Sequence, residues 1–185
     1  MKSIDVVKAR LMGAQDIQRT ITRLARQVIE SLESDDGVAI VGLHRRGVYL
    51  GCRLQSLIQK LENVQVPIGT LDVTMYRDDF RTRRSSNRMR ATDIPFDVSG
   101  RHLILVDDVL YTGRTVRAAM DAVTDLGRPS RIQFLTLIDR EHHELPIRAD
   151  MVGRVVPTIS REEVRVQFQE IDGRDGVWLV ERSKD

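Results

Sequence analysis

The chain has a single cysteine and no long apolar run. Cys52 has no partner for an internal disulfide, and we expect it to be a small buried residue, because it lies between Leu50 and Leu54. No apolar stretch approaches the ~20 residues of a membrane span, and the N-terminus lacks the apolar core of a signal peptide. These absences predict a cytoplasmic protein that does not enter a membrane.

Two common nucleotide-binding patterns are also missing. The sequence contains neither the Walker pattern nor G-x-G-x-x-G, so we expect neither an NTPase nor a dinucleotide-dependent enzyme. The net charge of +2 implies no general affinity for polyanions, but arginine greatly outnumbers lysine and is clustered. With 185 residues and 41% hydrophobic content, the chain can bury one sizeable core, and we predict a single domain over 1–185.

The stretch from His102 to Thr115 is the most informative part of the chain. An unbroken apolar run that ends at Asp107 and Asp108 predicts a strand buried on both faces of a parallel sheet, with its acidic end open. A polar turn follows, and apolar residues at helical spacing then predict a helix over 115–126. Hydroxyls, backbone N–H groups and a guanidinium at a helix N-terminus form a cradle for a phosphate.

Adjacent carboxylates beside such a cradle suit a ribose diol, a metal ion or a developing positive charge. Taken alone, an Asp-Asp pair is more often only a solvated strand end. The apolar strand before Asp107 and the Thr-Gly-x-Thr turn after Asp108 favour a site for a sugar phosphate.

Residues 106–115, Val-Asp-Asp-Val-Leu-Tyr-Thr-Gly-Arg-Thr, resemble the phosphoribosyl pyrophosphate (PRPP) binding motif of type I phosphoribosyltransferases. Residues 76–79, 127–130 and 139–150 resemble the bifunctional pyrimidine operon attenuator/uracil phosphoribosyltransferases, and that resemblance runs over nearly the whole chain. It implies an α/β fold of the type I phosphoribosyltransferase kind, with a central parallel sheet flanked by helices. A flexible lid loop, a small hood and a C-terminal β-hairpin are expected to complete this fold.

The resemblance also implies a reaction and its residues. A ring nitrogen of uracil is expected to displace pyrophosphate from PRPP, with Mg²⁺ as cofactor, to give UMP. Asp107 and Asp108 are the expected catalytic residues, and Asp139 is a candidate ligand of the metal or its waters. The residues expected to bind PRPP and UMP are Arg45, Arg46, Val106, Asp107, Asp108, Val109, Leu110, Tyr111, Thr112, Gly113, Arg114 and Thr115.

A second anion-binding loop is predicted at 44–47, His-Arg-Arg-Gly, between a strand at 38–43 and a helix from Val48 to about Lys60. A basic loop closed by glycine at this point of an α/β fold is suited to a phosphate. In the resembled family this loop binds pyrophosphate, usually has a Thr-Arg-Gly core, and often contains a non-proline cis peptide. Here Arg45 stands where the family has threonine.

The remaining patterns complete the predicted architecture. Helical periodicity indicates an amphipathic helix over 14–32 with arginines on its polar face. Segment 77–93 is polar and rich in arginine, and we interpret it as a basic lid that closes over PRPP. Uracil is expected under a hood formed around 138–140 and 151–156, and read through backbone groups. Further strands are predicted at 68–76, 132–138 and 151–156, with a hairpin of 164–168 and 177–180.

The resemblance further implies a regulatory partner. The resembled attenuators bind a stem-loop of the pyrimidine messenger RNA leader, and UMP or UTP strengthens that binding. We also expect a homo-oligomer, a dimer or a tetramer, that joins two such surfaces. The residues expected to contact RNA are Arg19, Thr22, Arg23, His142, Arg148 and Arg154.

Two alternatives remain open from the sequence. The protein could be an RNA-binding regulator whose nucleotide pocket is only a sensor, with negligible catalysis. It could also be another type I phosphoribosyltransferase, acting on orotate or a purine base, because the PRPP motif is shared while the base pocket is not. A phospho-acceptor domain would share the α/β fold but would not explain the hydroxyl-rich turn beside the acids.

Overall fold

The computed structural model describes residues 6–32, 37–78 and 92–181. The lid predicted at 77–93 falls largely on 79–91, which lie outside the described residues. Strands and helices alternate through most of the chain, as expected of an α/β protein. The elements are β1 (Val6–Met12), α1 (Ala14–Leu32), β2 (Val38–Leu43), α2 (Arg46–Glu62), β3 (Ile68–Leu71), β4 (His102–Leu110), α3 (Arg114–Leu126), β5 (Arg131–Asp139), β6 (Met151–Val155), β7 (Glu162–Gln167), α4 (Gln169–Asp172) and β8 (Gly176–Glu181).

The main sheet is parallel, with five strands in the order β3-β2-β4-β5-β6. Alternate residues of its central strand β4 face opposite layers. Ile104 and Val106 pack with α1 and α2, whereas Leu103 and Leu105 pack with α3. Because both faces are covered, β2 and most of β4 are continuous apolar runs, as the sequence indicated. The predicted fold class, a parallel sheet flanked by helices, is confirmed.

A smaller antiparallel sheet has the order β1-β8-β7. The predicted C-terminal hairpin is present as β7 and β8, although the single turn of α4 interrupts their connection. Val164, Val166 and Val177 join the core on the α1 and α2 side of the main sheet. Strand β1 was not predicted, because it lacks an alternating pattern and its first five residues are exposed.

The predicted length of the strand that begins at Ile68 was wrong. The strand predicted over 68–76 ends at Leu71, and a 3-10 turn follows at Thr74–Tyr76. The Asp72 carboxylate accepts the Thr74 N–H at 2.9 Å and so favours a turn, which leaves Met75 63% exposed.

Cys52 is exposed rather than buried. Helix α2 buries Gly47, Leu50, Leu54 and Ile58, which share one face at helical spacing, and position 52 lies on the other face. Within the ranges that the structure describes, none of the helices combines the length and the apolar character required to span a membrane.

Candidate active site

The two acids lie within the last part of the central strand. Strand β4 continues to Leu110, three residues past Asp107, so the prediction that the strand ends at the acids was wrong. Pairing with β5 holds this extension, since Leu110 aligns with Asp139. Asp107 is only 8% exposed, and its Oδ1 accepts the Asp108 N–H at 2.9 Å. The carboxylates therefore lie at the carboxyl end of the sheet but are partly sheltered from water.

This shelter changes how readily the acids ionise. Burial raises the pKa of Asp107 well above the usual carboxyl range, and the negative charge of Asp108 raises it further. Burial also raises the pKa of Asp108, although the hydrogen bond with Asp107 and the positive charge of Arg46 oppose that effect. A cation bound beside the two carboxyl groups would favour their ionised forms and so lower both pKa values. Acids with pKa values perturbed in this way are characteristic of functional sites.

The turn after β4, in which a phosphate cradle was predicted, leads directly into a helix. Gly113 adopts φ 88°, a conformation that favours glycine, and α3 begins at the next residue, one earlier than predicted. The Thr115 hydroxyl lies in the first turn of α3 and accepts a hydrogen bond from Arg77 Nη1 at 2.7 Å. The Arg114 guanidinium pairs with Glu144 at 2.9 Å and also with Asp78. The cradle therefore has the helix N-terminus and hydroxyls expected of a phosphate site.

The second anion loop packs directly against the acid pair. The peptide bond between His44 and Arg45 is cis, as in the resembled family. A Cβ on Gly47 would lie 2.3 Å from the Val106 carbonyl oxygen and 3.0 Å from Asp107 Cα. Only glycine allows this approach without displacing backbone. The loop thus brings the N-terminus of α2 beside Asp107.

Arg46 begins α2 and contacts α4, which connects β7 and β8 of the smaller sheet. Its Nε and Nη2 donate to the two oxygens of Asp172 at 3.3 and 2.8 Å. The positive charge of the same guanidinium opposes the rise that burial causes in the pKa of Asp108, so Arg46 acts on an acid of the main sheet as well as on an acid of α4. The sequence did not reveal this second acid, which lies 126 positions away.

Asp139, the candidate metal ligand, ends β5. Its Oδ1 accepts the Glu141 N–H and a hydrogen bond from His143 Nε2, both at 2.8 Å. Within the described residues, no group of three or more His, Cys, Asp or Glu side chains has an arrangement that could hold a metal ion. Mg²⁺ commonly uses only one or two carboxylates together with substrate phosphates and water, so this donor set fits a metal delivered with PRPP.

Sequence reasoning placed Arg140 only within the hood around 138–140, whereas the structure shows it buried directly after β5, with contacts that were not predicted. Its guanidinium lies 3.8 Å from the centre of the Tyr111 ring, and its Nε donates to the Thr158 hydroxyl at 2.8 Å. It also donates to the carbonyl of Glu162 in β7. His142 contacts the Tyr111 ring with a centroid distance of 5.0 Å. Arg140 thus ties the phosphate cradle to the smaller sheet, and its position after Asp139 was the only signal in the sequence.

The residues expected to contact RNA are not all brought together. Arg23 Nη2, on the exposed face of α1, donates to the carbonyls of Val152 and Gly153 in β6 at 3.0 and 2.6 Å. Arg154 of β6 donates to the carbonyl of Leu11. Arg19 and Thr22 lie on α1 near Arg23, whereas His142 contacts the phosphate cradle and Arg148 lines a cleft with Asp139 and His143.

Residues 11–169 match the family model described as the phosphoribosyl transferase domain. A hypoxanthine phosphoribosyltransferase of Trypanosoma cruzi has the same fold, with a TM-score of 0.71 and 17% identity over 96% of this chain and 98% of that one. A hypoxanthine-guanine phosphoribosyltransferase of Bacillus anthracis gives 0.70 and 18% over 95% and 99%. The chain therefore belongs to the phosphoribosyltransferase family.

Relatives of much higher identity carry a more particular name. Proteins named bifunctional protein PyrR from Roseiflexus sp. (strain RS-1) and Pelotomaculum thermopropionicum are 52% and 51% identical to this chain. These matches cover 92% and 96% of the chain and 94% and 98% of the relatives. A PyrR protein of Thermus thermophilus is 50% identical, over 95% and 97%. The family resemblance stated from the sequence is confirmed.

Proposed function

We propose that the protein is a uracil phosphoribosyltransferase that also regulates pyrimidine operon expression by binding RNA. The observation that carries the enzymatic half is the packing of Gly47 against Val106, because it brings the basic loop at 44–47 beside Asp107 and Asp108. The cradle at Thr112–Thr115 follows the same strand. One site thus holds a phosphate cradle, a diol-binding acid pair and a second anion loop, which together match the three parts of PRPP.

The chemistry follows from these positions. The bond between the ribose C1 and the pyrophosphate oxygen breaks, and pyrophosphate leaves with the electron pair. A ring nitrogen of uracil then bonds to C1 and loses its proton. Positive charge develops on the ribose, where Asp107 and Asp108 stabilise it, while Arg45 and Arg46 stabilise the departing pyrophosphate.

Mg²⁺ bound with PRPP would supply charge neutralisation on the pyrophosphate. Asp107 and Asp108 are suited to hold the ribose hydroxyls beside it, and Asp139 is suited to hold the metal or its waters. The ordered contacts of Asp139 with Glu141 and His143 support this role, since they orient its carboxylate.

Uracil is proposed to lie beneath the hood between the ends of β5 and β6. The Val156 N–H donates to the Asp139 carbonyl at 2.7 Å, which keeps these two segments together. The smaller sheet reaches this edge through Arg140 and Glu162. Competition among uracil, orotate and hypoxanthine for PRPP-dependent product formation would test base selection, and only uracil is expected to react efficiently.

The regulatory half is supported by a basic face that we name after α1, and which we define as Arg19 and Arg23 of α1 together with Arg154 of the neighbouring strand β6. The contacts that Arg23 and Arg154 make along this edge with β6 and β1 are to neutral backbone carbonyls, which fix the guanidinium groups without cancelling their charge. Such fixed charges suit RNA phosphates. We propose that a homo-oligomer joins two of these faces and binds a messenger leader hairpin. Gel-shift titration of that hairpin, with and without UMP, tests this half; nucleotide binding without turnover would leave the sensor alternative.

A further inference from the structure

The acid that pairs with Arg46 lies outside the acid pair, the phosphate cradle and the basic loop at 44–47. Asp172 is the last residue of α4, in the connection of the smaller sheet, whereas Arg46 begins α2 in the pyrophosphate loop. The contact is bidentate, and the Asp172 side chain is 14% exposed. A bidentate pair fixes the plane of a guanidinium as well as its position.

Asp172 is itself held in place by its own helix. Its Oδ2 accepts the Phe168 N–H at 2.9 Å, and its N–H donates back to the Phe168 carbonyl at 2.7 Å. These two hydrogen bonds fix the position of the Asp172 carboxylate, which in turn determines the position of the Arg46 guanidinium. Burial and the hydrogen bond from Arg46 act in opposite directions on the Asp172 carboxyl, and the net effect lowers its pKa. Asp172 is therefore a fixed negative charge at neutral pH.

The pair leaves part of the guanidinium available. Asp172 takes up the edge formed by Nε and Nη2, and a guanidinium has five N–H groups in total. The Nη1 edge therefore remains directed away from Asp172. Arg46 directly precedes Gly47, on which a Cβ would lie only 3.0 Å from Asp107 Cα, so the guanidinium belongs to a segment that packs against the acid pair.

We propose that Asp172 is a positioning residue, which holds the Arg46 guanidinium in the orientation that binds the pyrophosphate of PRPP. This rests on the proposed function, in which the loop at 44–47 is the pyrophosphate site. An arginine that is already ordered loses little rotamer freedom when the ligand binds, so the pair increases affinity through preorganisation. The Arg46–Asp172 pair also connects α4, between the strands of the smaller sheet, to the proposed pyrophosphate site.

A second arginine of α2 also forms ion pairs with the α4 region and provides a matched control. Arg53, two turns after Arg46 on α2, pairs with Asp175 at 2.7 Å and with Glu170 at 2.6 Å. Asp175 also accepts the Gln169 N–H at 2.8 Å, as Asp172 accepts that of Phe168. Both acids therefore attach the α4 region to α2, but only Asp172 contacts the pyrophosphate loop. Asp175→Asn reports what loosening this attachment does by itself.

The test compares Asp172→Asn, Asp172→Glu and Asp175→Asn with the wild type. Binding of Mg²⁺-pyrophosphate is measured by calorimetry, and kcat and KM for PRPP are measured separately. We expect Asp172→Asn to weaken pyrophosphate binding and raise the KM for PRPP by roughly tenfold, with a smaller change in kcat. Asp172→Glu should recover part of the loss, and Asp175→Asn should leave both constants near wild type.

The outcomes separate this inference from the proposed function. If the wild type binds neither pyrophosphate nor PRPP, the proposed function fails. If the wild type binds both, and folded Asp172→Asn binds pyrophosphate equally well or more tightly, Asp172 does not position Arg46 and the inference is overturned. Equal losses in Asp172→Asn and Asp175→Asn would also overturn it, because they would reduce Asp172 to an attachment of α4. Thermal unfolding of each variant verifies that the folded state is compared.

Discussion

Gly47 of the basic loop lies in backbone contact with Val106 of the central strand, so that a methyl group at its Cα would be 2.3 Å from the Val106 carbonyl oxygen. The next residue of the strand is Asp107, whose Cα would lie 3.0 Å from the same methyl group. Two segments about 60 residues apart in the chain thus form one surface, in the manner of parallel sheets, whose strand ends share an edge.

Gly47→Ala is expected to disrupt this surface. The new methyl group must move backbone atoms, and such overpacking costs typically about 1–3 kcal/mol of folding stability. Because the loop moves away from Asp107, KM for PRPP should rise as well. Thermal unfolding and initial rates provide the measurement. Gly13→Ala is the control, since its Cβ would meet its nearest neighbour at an ordinary 3.6 Å. A Gly47→Ala protein with normal stability and normal KM would contradict this account of the loop.

Asp107→Asn should lower the catalytic activity and raise the stability of the folded protein. Burial and Asp108 raise the pKa of Asp107 in the folded protein. The folded state therefore binds its proton more tightly than the unfolded state, and stability is lost as pH rises through the folded pKa. Asparagine removes that loss and keeps an oxygen for the Asp108 N–H.

We expect ligand-free Asp107→Asn to be more stable than the wild type above neutral pH, by roughly 0.5–2 kcal/mol, with a gap that narrows as pH falls. Its kcat should fall roughly a hundredfold, because a group that stabilises the transition-state charge is lost. Chemical unfolding at several pH values and pyrophosphate release measure the two effects. Undiminished turnover in this variant would exclude Asp107 from catalysis.

Asp139→Asn tests the assignment of the metal. If Asp139 holds Mg²⁺ or its waters, the Mg²⁺ concentration that gives half-maximal rate should rise roughly tenfold, while saturating Mg²⁺ restores much of the rate. Asp125→Asn, an exposed acid on α3, should leave the Mg²⁺ dependence unchanged. A Mg²⁺ titration of Asp139→Asn that coincides with that of the wild type would remove Asp139 from the metal site.

Arg23→Ala tests the basic face of α1. Loss of one phosphate contact should weaken binding of a pyrimidine-leader hairpin and flatten its salt dependence by about one contact. Under the proposed linkage of the two sites, UMP should strengthen RNA binding, and RNA should then strengthen UMP binding by the same factor. The exposed Arg131, at the opposite end of β5, provides the control variant Arg131→Ala. Binding indifferent to hairpin sequence, UMP and Arg23 would leave only the enzyme.

The main sheet was predictable because its signals are local. The buried strand before Asp107 is a continuous apolar run, and α1 was predicted with its observed bounds, Ala14–Leu32, from helical periodicity alone. The local structure of the candidate phosphate cradle was predictable for the same reason, since one short segment contains the strand, the turn and the helix start. The extension of β4 to Leu110 could not be predicted, because pairing with β5 stabilises as a strand residues whose own sequence favours a turn.

The contacts that complete the site are long-range and left no local pattern. Strand β1 forms by pairing with β8 at the other end of the chain, although its own side chains are largely exposed. The contact between Asp172 and Arg46 depends on the packing of the smaller sheet against α2, which joins residues far apart in the sequence. The contact between Arg140 and Tyr111 likewise depends on how the ends of β4 and β5 lie side by side. Cys52 was misplaced because neighbouring leucines do not specify the rotational phase of a helix.

The most direct test of the central claim is the release of pyrophosphate from PRPP and Mg²⁺ by the wild-type protein, measured in the presence of uracil, orotate or hypoxanthine. The account predicts release that requires uracil, with UMP formed in equal amount, and much slower release with either of the other bases. No release with uracil, or faster release with orotate or hypoxanthine, would contradict it.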